Sequence, residues 1–397
     1  MKGLSPKHLK SFAVDSYHLG SYLRSPGDGR KQPEIPAPAL LWSLVIGQIL
    51  RECSFHGVES LVRSPARRQL GVARSFGDDC LAYFTERLDP EVTRQALAGV
   101  LRQAKRRKAF QGSRFLGLAL DGTGAARCQT KGCDLCHPMY TTDHEVLGYQ
   151  HHLSMIGVVG TGLSLPFDVE PYLPKENEVA SSKRLLLRGV NALGHRFADY
   201  VVADGLYAEA PFLHLVGDLG LHVVVRLKGN LPELEAQARA RFHQSPPSLT
   251  IEVDGDRVEL WDADDFDPWE ALRWTTVRVL RYRQYKPDGT VCEAAWLTDY
   301  PPGQVGTRTL YRLAKSRWEI ENQGFNVGKT YHAMEHITHH QANSLLMQWL
   351  LLLLALMIER LYRLRYLHRG THPPLSAIEL VRRLRLRLAP PQNNDTS

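Results

Sequence analysis

The sequence predicts an α/β protein in which a mixed sheet is flanked by helices, with a helical N-terminal domain and an antiparallel β insertion. Two short apolar runs, residues 115–120 and 200–203, are typical of strands that are buried on both faces. Helical segments alternate with such strands over residues 111–230. Residues 231–310 instead alternate polar and apolar side chains, which is typical of an antiparallel sheet with one face in water.

Composition indicates a globular protein in a reducing compartment. The chain has 397 residues, of which 43% are hydrophobic and 23% charged, and its six cysteines are too few for a disulfide scaffold. No apolar segment follows the polar N-terminus, and the longest apolar run, residues 349–358, is too short to span a bilayer. We therefore expect a cytoplasmic protein without a membrane segment. The net charge of +7 permits nucleic-acid binding without requiring it.

Residues 1–110 are predicted to form a helical DNA-binding domain. The first 36 are rich in glycine, proline and basic residues and are expected to be irregular, and Asp89 followed by Pro90 indicates the start of a helix. The alternative is a solvated helical subdomain, because charged runs usually face water. The DNA-binding interpretation depends on two basic clusters. They are Arg63, Arg67 and Arg68, and Lys105, Arg106, Arg107 and Lys108.

The remaining elements follow in chain order. Residues 111–230 are predicted to form the first part of a catalytic core, and the insertion at 231–310 contains two hairpins. Residues 311–370 return to the core with a polar helix and then a long buried helix from about 341 to 368. Residues 371–397 form a basic tail that carries several arginines, and 390–397 are expected to be disordered.

Two aspartates follow strands of the predicted sheet. Asp121 and Asp204 each come directly after an apolar run and precede a glycine. Carboxylates at the ends of neighbouring parallel strands can converge on a hard cation, which prefers oxygen ligands. Either aspartate alone could simply end its strand. A third acid downstream favours the metal-site interpretation.

That third acid belongs to the segment Arg317-Trp-Glu-Ile-Glu321-Asn-Gln-Gly-Phe-Asn-Val-Gly-Lys329, which is predicted to be one helix. Arg317 and Glu321 are four residues apart and therefore lie one turn apart on the same side. Gly324 and Gly328 disfavour a helix, which suggests that something bulky comes close to the carboxylate. The alternative is a surface helix with an ordinary Arg–Glu pair.

Together, Asp121, Asp204 and Glu321 could hold two Mg²⁺ or Mn²⁺ ions. Such a pair of ions activates a nucleophile and stabilises the leaving oxygen in phosphodiester displacement. Arg317 and Lys329 flank Glu321 with positive charge, which suits contact with a phosphate backbone.

The three acidic motifs resemble those of the DDE transposases of bacterial insertion sequences. Leu118-Ala-Leu-Asp121-Gly-Thr is similar to the first-acid motif and Val202-Ala-Asp204-Gly-Leu-Tyr207 to the second. The 317–329 segment resembles the third-acid block of the branch with a Tyr-Arg-Glu-Lys signature. The resemblance covers about residues 40–360. It implies an RNase H-like catalytic domain, hydrolysis of DNA at transposon ends, and attack of the freed 3′-hydroxyl on target DNA.

Two positions depart from that signature. The tyrosine position is Ala314, with Tyr311 the nearest tyrosine, and the lysine position is Gly328, with Lys329 one residue further. The resemblance implies that Arg317 and Lys329 grip phosphates near the transposon end, and Tyr311 and Lys228 are further DNA-binding candidates. It also implies a homodimer on double-stranded DNA, comprising terminal inverted repeats and target.

A cysteine-rich stretch interrupts the first two core strands. Cys128, Cys133 and Cys136 have a spacing that can hold a structural zinc ion with a fourth ligand. His137 is one candidate, but its direct adjacency to Cys136 strains joint ligation, so His144 or His151 are alternatives. Free cytosolic thiols are the other interpretation.

Two rival functions remain open from the sequence. His332-Ala-Met-Glu335-His336 matches the His-x-x-Glu-His pattern of inverted zinc peptidases, which requires both histidines on one helix. A non-catalytic DNA-binding protein derived from a transposase is the second rival, although none of the three acids is missing. Tightly bound catalytic zinc would favour the peptidase, and Mg²⁺-dependent DNA cleavage the transposase.

Overall fold

The computed structural model of the chain describes residues 4–368 and 373–388, so the segment 390–397, predicted to be disordered, lies outside the described residues. A ten-stranded mixed sheet flanked by helices forms the body of the protein, and helices make up its N-terminal region. The predicted fold class is confirmed.

Strands and helices alternate in the middle of the chain, and helices predominate at both ends. The strands are β1 (Gly117–Cys128), β2 (His137–Tyr140), β3 (Val146–Val159), β4 (Leu165–Pro171), β5 (Tyr200–Ala203), β6 (His222–Leu227), β7 (Leu249–Val253), β8 (Asp256–Phe266), β9 (Val277–Tyr285) and β10 (Val291–Thr298). The helices are α1 (Pro6–Ser11), α2 (Gly20–Arg24), α3 (Ala37–Leu50), α4 (Phe55–Arg63), α5 (Arg67–Leu70), α6 (Asp78–Glu86), α7 (Pro90–Arg106), α8 (Glu178–Leu193), α9 (Ala210–Asp218), α10 (Pro232–His243), α11 (Thr307–Lys315), α12 (Arg317–Ile320), α13 (Asn326–Tyr331), α14 (Ala342–Leu361) and α15 (Ala377–Leu388).

The sheet has the order β2-β3-β1-β5-β6-β10-β9-β8-β7, and β4 pairs with the same edge of β3 as β2 does, further along the strand. Strands β1, β5 and β6 are parallel, and the other pairs are antiparallel. The five strands β4-β3-β1-β5-β6 form the core of the sheet. Of its three parallel strands, β5 is apolar and buried along its whole length, as is typical of a strand covered on both faces.

The β insertion continues the core sheet. Its strands β7–β10 form the two predicted hairpins, and β10 pairs with β6 from Ala295↔Leu227 to Thr298↔Val224. The sequence predicted the antiparallel insertion but not its pairing with the core sheet. Without β10, the edge of β6 would leave a row of backbone N–H and C=O groups unpaired, and this pairing satisfies them. Helix α10, which the sequence analysis did not predict, leads into the insertion.

The N-terminal region is more ordered than expected. Helices α1 and α2 and the π-helical turn Phe12–Ser16 occupy the segment that was expected to be irregular, and Leu9 and Phe12 are buried there. Ser5 caps α1 by accepting from the backbone of His8. Helix α7 begins as predicted, with the Asp89 side chain accepting from the N–H of Glu91.

Strand β1 does not end at Asp121. It continues to Cys128 and pairs with β3 as far as Cys128↔Tyr149, with an irregularity between Gly124 and Arg127. Strand β2, which was not predicted, pairs with the same part of β3. Residues 122–151 therefore form a three-stranded extension beyond the core, called the outer arm below.

Helix α14 is the central helix of the core. With its π-helical continuation it runs from Ala342 to Leu367, and by length and composition alone it could cross a membrane. The prediction from sequence considered only its apolar run 349–358, which is too short to span a bilayer. However, 94% of its most apolar window is buried against other parts of the chain. Its contacts with β4, α3 and α7 make it a core helix. In the basic tail, α15 packs on α3, where Arg385 donates to the carbonyl of Leu50.

Candidate active site

Two neighbouring parallel strands bring Asp121 and Asp204 together. The register of β1 on β5 runs from Gly117↔Tyr200 to Ala119↔Val202, and continuing it by two residues places Asp121 opposite Asp204. Asp204 follows the last residue of β5 and precedes the 3₁₀ turn Gly205–Tyr207. Asp121 instead lies inside the long strand β1, so its backbone is held by the ladder to β3.

Arg317 connects the first acid to the third. Its Nη1 donates to Oδ2 of Asp121 at 3.1 Å, and its Nη2 lies 3.5 Å from Oε2 of Glu321. Arg317 is only 7% exposed. The predicted (i, i+4) pair with Glu321 is therefore present, and the same guanidinium docks this segment onto β1. The third acid thus lies beside the first although 200 residues separate them.

Two of the three carboxylates, those of Asp121 and Glu321, contact the side-chain cation of Arg317, and the three acids do not form a tight cluster. Within residues 4–368 and 373–388, two groups of three potential ligands lie within 4.8 Å of one another, and the three acids are not one of them. The group His56, Glu59 and Asp78 is on the N-terminal helices, and the other contains cysteines. Oδ1 of Asp204 is buried and without a hydrogen-bond partner. A buried, unpaired carboxylate oxygen beside further carboxylates suits a hard divalent cation.

Burial raises the pKa of Asp121 to about 7, although Arg317 opposes the shift. The carboxylates of Glu178 and Asp204 raise the pKa further, and the N–H of Gly122, which donates to Oδ1 at 3.0 Å, lowers it. Ionisation of Asp121 beside these carboxylates therefore costs free energy at neutral pH, and a bound cation would offset that cost.

Glu178 is a fourth carboxylate that the sequence analysis did not identify. The Tyr207 hydroxyl donates to its Oε1 at 2.8 Å and the Tyr172 hydroxyl to its Oε2 at 3.2 Å. Its carboxylate lies so close to Gly122 that a Cβ there would be 2.3 Å from Oε2. The sequence predicts a helix from Glu178 to Leu193 and gives Glu178 no further role. The available signal was an acid at the first position of the helix that follows β4, and only the fold places it beside Asp121.

The third-acid segment is not one regular helix. Helix α12 ends at Ile320, a π-helical turn runs from Glu321 to Phe325, and α13 follows. A π turn alters the backbone hydrogen-bond pattern, and such turns are frequent at functional sites. Buried Arg360 of α14 donates to the carbonyls of Gln323 and Ser164. Arg360 thus ties the turn that carries Glu321 to the core.

Arg360→Met is therefore expected to destabilise the protein by about 2 kcal/mol, because two carbonyl groups lose a buried donor. The readout is urea denaturation. The exposed Arg382→Met in α15 is the matched control and should change stability by less than about 0.5 kcal/mol. Equal stability of the two variants would contradict the assigned role of Arg360.

The glycines of this segment face the protein interior. A Cβ on Gly324 would lie 3.1 Å from Sδ of Met155 and 3.4 Å from Pro166, and one on Gly328 would lie 3.1 Å from Sδ of Met334. The expectation that they admit a bulky ligand beside Glu321 was wrong. They allow the helix to pack closely against the sheet and the following loop.

Two predicted DNA-binding lysines lie at the same edge of the sheet as the acids. Lys329 donates to the carbonyl of Gly124 at 3.0 Å and pairs with Glu335 at 3.1 Å. Lys228 follows β6 and is exposed. It lies beside Gly205, the residue after Asp204, because a Cβ added to Gly205 would be 3.2 Å from the Cβ of Lys228. Both therefore border the surface around the acids.

Tyr311 is not part of this surface. It is 3% exposed, its ring packs against Tyr282 with centroids 5.4 Å apart, and its hydroxyl is buried without a partner. Burial raises its pKa to about 12. The prediction that Tyr311 contacts DNA was wrong, because the apolar face of α11 packs this side chain against the insertion.

The basic run at the end of α7 lies far from the acids. The ammonium group of Lys105 donates to the carbonyls of Arg196 and Phe197, which precede β5 and so lie at the edge of the sheet opposite Asp204. Helix α8 separates that loop from Glu178 by 16 residues, or about 24 Å. The next three residues of the run, Arg106, Arg107 and Lys108, are exposed.

The His-x-x-Glu-His pattern is not on a helix. Helix α13 ends at Tyr331, and the segment that follows is irregular. His332 is fully buried with Nη1 of Arg51 2.6 Å from its Nε2, and burial lowers its pKa well below the usual value. Glu335 pairs with Lys329. The two histidines therefore cannot act as the paired ligands of a peptidase zinc, and this alternative was wrong.

A family model described as a transposase DDE domain matches residues 112–358, which include every acid of the site. The chain belongs to this family. This DDE transposase is thus an enzyme that cleaves DNA and transfers strands, and DDE transposases generally use divalent metal ions. The resemblance drawn from the sequence motifs is confirmed.

Among solved structures, the synaptic complex of piggyBac transposase with hairpin DNA is similar to this chain. The TM-score is 0.47 at 10% sequence identity, and the match covers 98% of this chain and 83% of that one. None of the curated proteins compared with the transposase matches it in sequence.

Proposed function

We propose that Asp121, Asp204 and Glu321 hold the divalent ions, Mg²⁺ or Mn²⁺, with which this transposase cuts transposon ends and joins them to target DNA. The observation that carries the proposal is the meeting of two adjacent strands with the Glu321 segment, linked by the contact between Arg317 and Asp121. The orphaned oxygen of Asp204 and the raised pKa of Asp121 support a cation at this place.

The side chains around the acids have distinct roles in this proposal. Divalent ions, when bound, activate the attacking oxygen and stabilise the leaving oxygen. Arg317 offsets the repulsion between Asp121 and Glu321 and supplies positive charge for a phosphate beside them. Lys329 and Lys228 contact the phosphate backbone on either side, which contributes affinity without sequence preference.

The basic run Lys105, Arg106, Arg107 and Lys108 is proposed to contact a more distant part of the DNA. Its separation of about 24 Å from the acids corresponds to roughly seven base pairs of duplex. Such contacts would make affinity strongly dependent on salt but leave the chemistry unchanged.

The proposed substrate is double-stranded DNA, comprising terminal inverted repeats and target, and the proposed assembly on DNA is a homodimer. Joining two transposon ends to one target requires two catalytic sites, and the chain supplies one set of acids. The proposed compartment is the cytoplasm. The free state of all six cysteines fits a reducing environment.

The function is tested with a supercoiled plasmid that carries the DNA flanking the gene on both sides. The purified transposase with Mg²⁺ is expected to cut the plasmid at inverted repeats within those flanks and to yield strand-transfer products, whereas reactions without divalent ions should yield neither. Binding without any cutting in Mg²⁺ or Mn²⁺ would instead support a non-catalytic DNA-binding protein.

Glu178 is proposed to add negative charge to the metal site. In Glu178→Gln the amide oxygen can accept from one of the two tyrosine hydroxyls and the amide NH₂ can donate to the other, while the charge disappears. We expect cleavage to require about tenfold more Mg²⁺, because a carboxylate beside the ions is lost. We also expect a pH profile displaced to lower pH, because one cause of the raised pKa of Asp121 is removed.

The matched control is Glu209→Gln, because Glu209 pairs with Lys183 at a nearby position. Cleavage should be titrated with Mg²⁺ at several pH values for both variants. A Glu178→Gln enzyme with the Mg²⁺ requirement and pH profile of the control would restrict Glu178 to a structural role.

A further inference from the structure

Three cysteines and one histidine of the outer arm converge outside the acidic site. Cys128 lies at the end of β1, Cys133 and Cys136 in the turn before β2, and His151 within β3. Sγ of Cys128, Sγ of Cys136 and a ring nitrogen of His151 all lie within 4.8 Å of one another. Cys133 contacts two of these groups, with its Sγ 3.9 Å from Cys136 and 3.1 Å from Nε2 of His151.

The separations of Cys128, Cys136 and His151 match three corners of a tetrahedral zinc site, and Cys133 lies close enough to Cys136 and His151 to supply the remaining ligand. With zinc–sulfur bonds near 2.3 Å and zinc–nitrogen bonds near 2.0 Å, tetrahedral ligand atoms lie about 3.8 Å apart for two sulfurs and about 3.5 Å apart for sulfur and nitrogen. Here Cys128 and Cys136 are 3.8 Å apart, and Cys136 is 3.5 Å from Nε2 of His151.

His151, and not His137, faces the cysteine sulfurs. Nε2 of His137 lies 3.1 Å from the carbonyl of Tyr172, and its ring packs against His152 and Tyr172. His151 is 1% exposed and points its Nε2 at the sulfurs, while its Nδ1 lies 3.3 Å from the carbonyl of Ala126. A backbone carbonyl on the second ring nitrogen selects the tautomer that leaves Nε2 free to bind a metal.

We infer that Cys128, Cys133, Cys136 and His151 bind a structural zinc ion that holds the outer arm in shape. The set leaves no open position for substrate, which is typical of structural sites. Thiolate ligands favour zinc over the hard ions expected at the acids. The inference is independent of the proposed roles of the acids.

The outer arm meets the third-acid segment at Lys329 and the loop before α14 at His340, so loss of zinc is expected to affect the catalytic site indirectly. The carbonyl of Gly124 accepts from Lys329, and Gly132 lies against His340, where an added Cβ would be 2.3 Å from Nδ1. Loss of zinc is therefore expected to loosen the carbonyl that positions Lys329, while the acids on β1 and β5 remain held by the core.

Metal content provides the first test. The full chain, loaded with ZnCl₂ and dialysed against metal-free buffer, is expected to retain one zinc ion per chain by mass spectrometry. Cys136→Ser and His151→Ala should each weaken zinc binding at least about tenfold. His137→Ala and Cys292→Ser, which change a neighbouring histidine and a cysteine of β10, should retain the full content.

The outcomes separate the alternatives. Zinc-free wild-type protein, or equal loss from Cys292→Ser, would overturn the site, and loss from His137→Ala but not from His151→Ala would overturn the ligand assignment. Should Cys136→Ser not fold, wild-type protein supplies a second measurement. Three of its thiols should resist a thiol reagent until a chelator is added, and all six reacting equally beforehand would contradict the inference.

A hydrogen-exchange measurement tests the link to the catalytic site. Chelation should increase exchange in residues 122–151 and around Lys329, with little change in β5 and β6. Unchanged exchange in the outer arm after verified zinc loss would contradict the proposed structural role.

Discussion

Asp121→Asn is expected to lower DNA cleavage on the order of a thousandfold while DNA binding is retained. Asparagine fits the same space but removes the negative charge that would hold a divalent ion, and losing about 4 kcal/mol of transition-state stabilisation corresponds to that factor. Cleavage of the plasmid with flanking DNA and a gel-shift assay with the same flanks measure the two properties.

Glu209→Gln is the control for this experiment, because it removes a carboxylate five residues after Asp204 that pairs with Lys183. It should cleave like the unaltered transposase. If Asp121→Asn still cleaved within tenfold of the control, the assignment of Asp121 to metal binding would be refuted. Parallel loss of binding and cleavage would indicate misfolding and is checked by circular dichroism.

The same substitution is expected to stabilise the metal-free protein at alkaline pH. The pKa of Asp121 is about 7 in the fold against 3.8 ordinarily. Because the folded pKa is raised, its contribution to stability is fully present below pH 4 and is lost as pH rises through 7. A shift of about three units corresponds to roughly 4 kcal/mol as an upper bound, so the advantage of Asp121→Asn should grow from near zero at pH 4 to a few kcal/mol at pH 8.

Urea denaturation across this pH range, in buffers free of Mg²⁺ and Mn²⁺, measures the difference. Adding Mg²⁺ at pH 8 provides an internal control, because it should stabilise the unaltered transposase and leave Asp121→Asn unaffected. A stability difference independent of pH would show that the carboxyl group of Asp121 is not destabilised by its surroundings. The experiment needs no DNA and therefore separates the electrostatics of the site from its catalytic role.

Several elements followed from local sequence patterns alone. The apolar runs before Asp121 and Asp204 predicted buried strands, and Asp89 with Pro90 predicted the start of α7. The (i, i+4) spacing predicted the contact of Arg317 with Glu321. These features depend on side-chain periodicity and backbone preferences within a few residues, so a single sequence contains them.

Other predictions failed where a distant partner decides the outcome. Tyr311 could have faced DNA or the interior, and packing against Tyr282 of the insertion decided this. The glycines after Glu321 were assigned to a ligand, but Gly324 packs against Met155 of β3. Neither partner is near in sequence, and each contact depends on how the elements dock.

The sequence by itself predicted every strand except β2, most of the helices and the three acids as candidates, because these depend on local hydrophobic patterns and on motifs of a few residues. The tertiary structure decided that Glu178 joins Asp121, that His151 and not His137 faces the cysteines, and that the insertion extends the sheet. Strand register and helix docking place residues tens of positions apart within a few ångströms. They are set by the packing of the whole core, which no local pattern encodes.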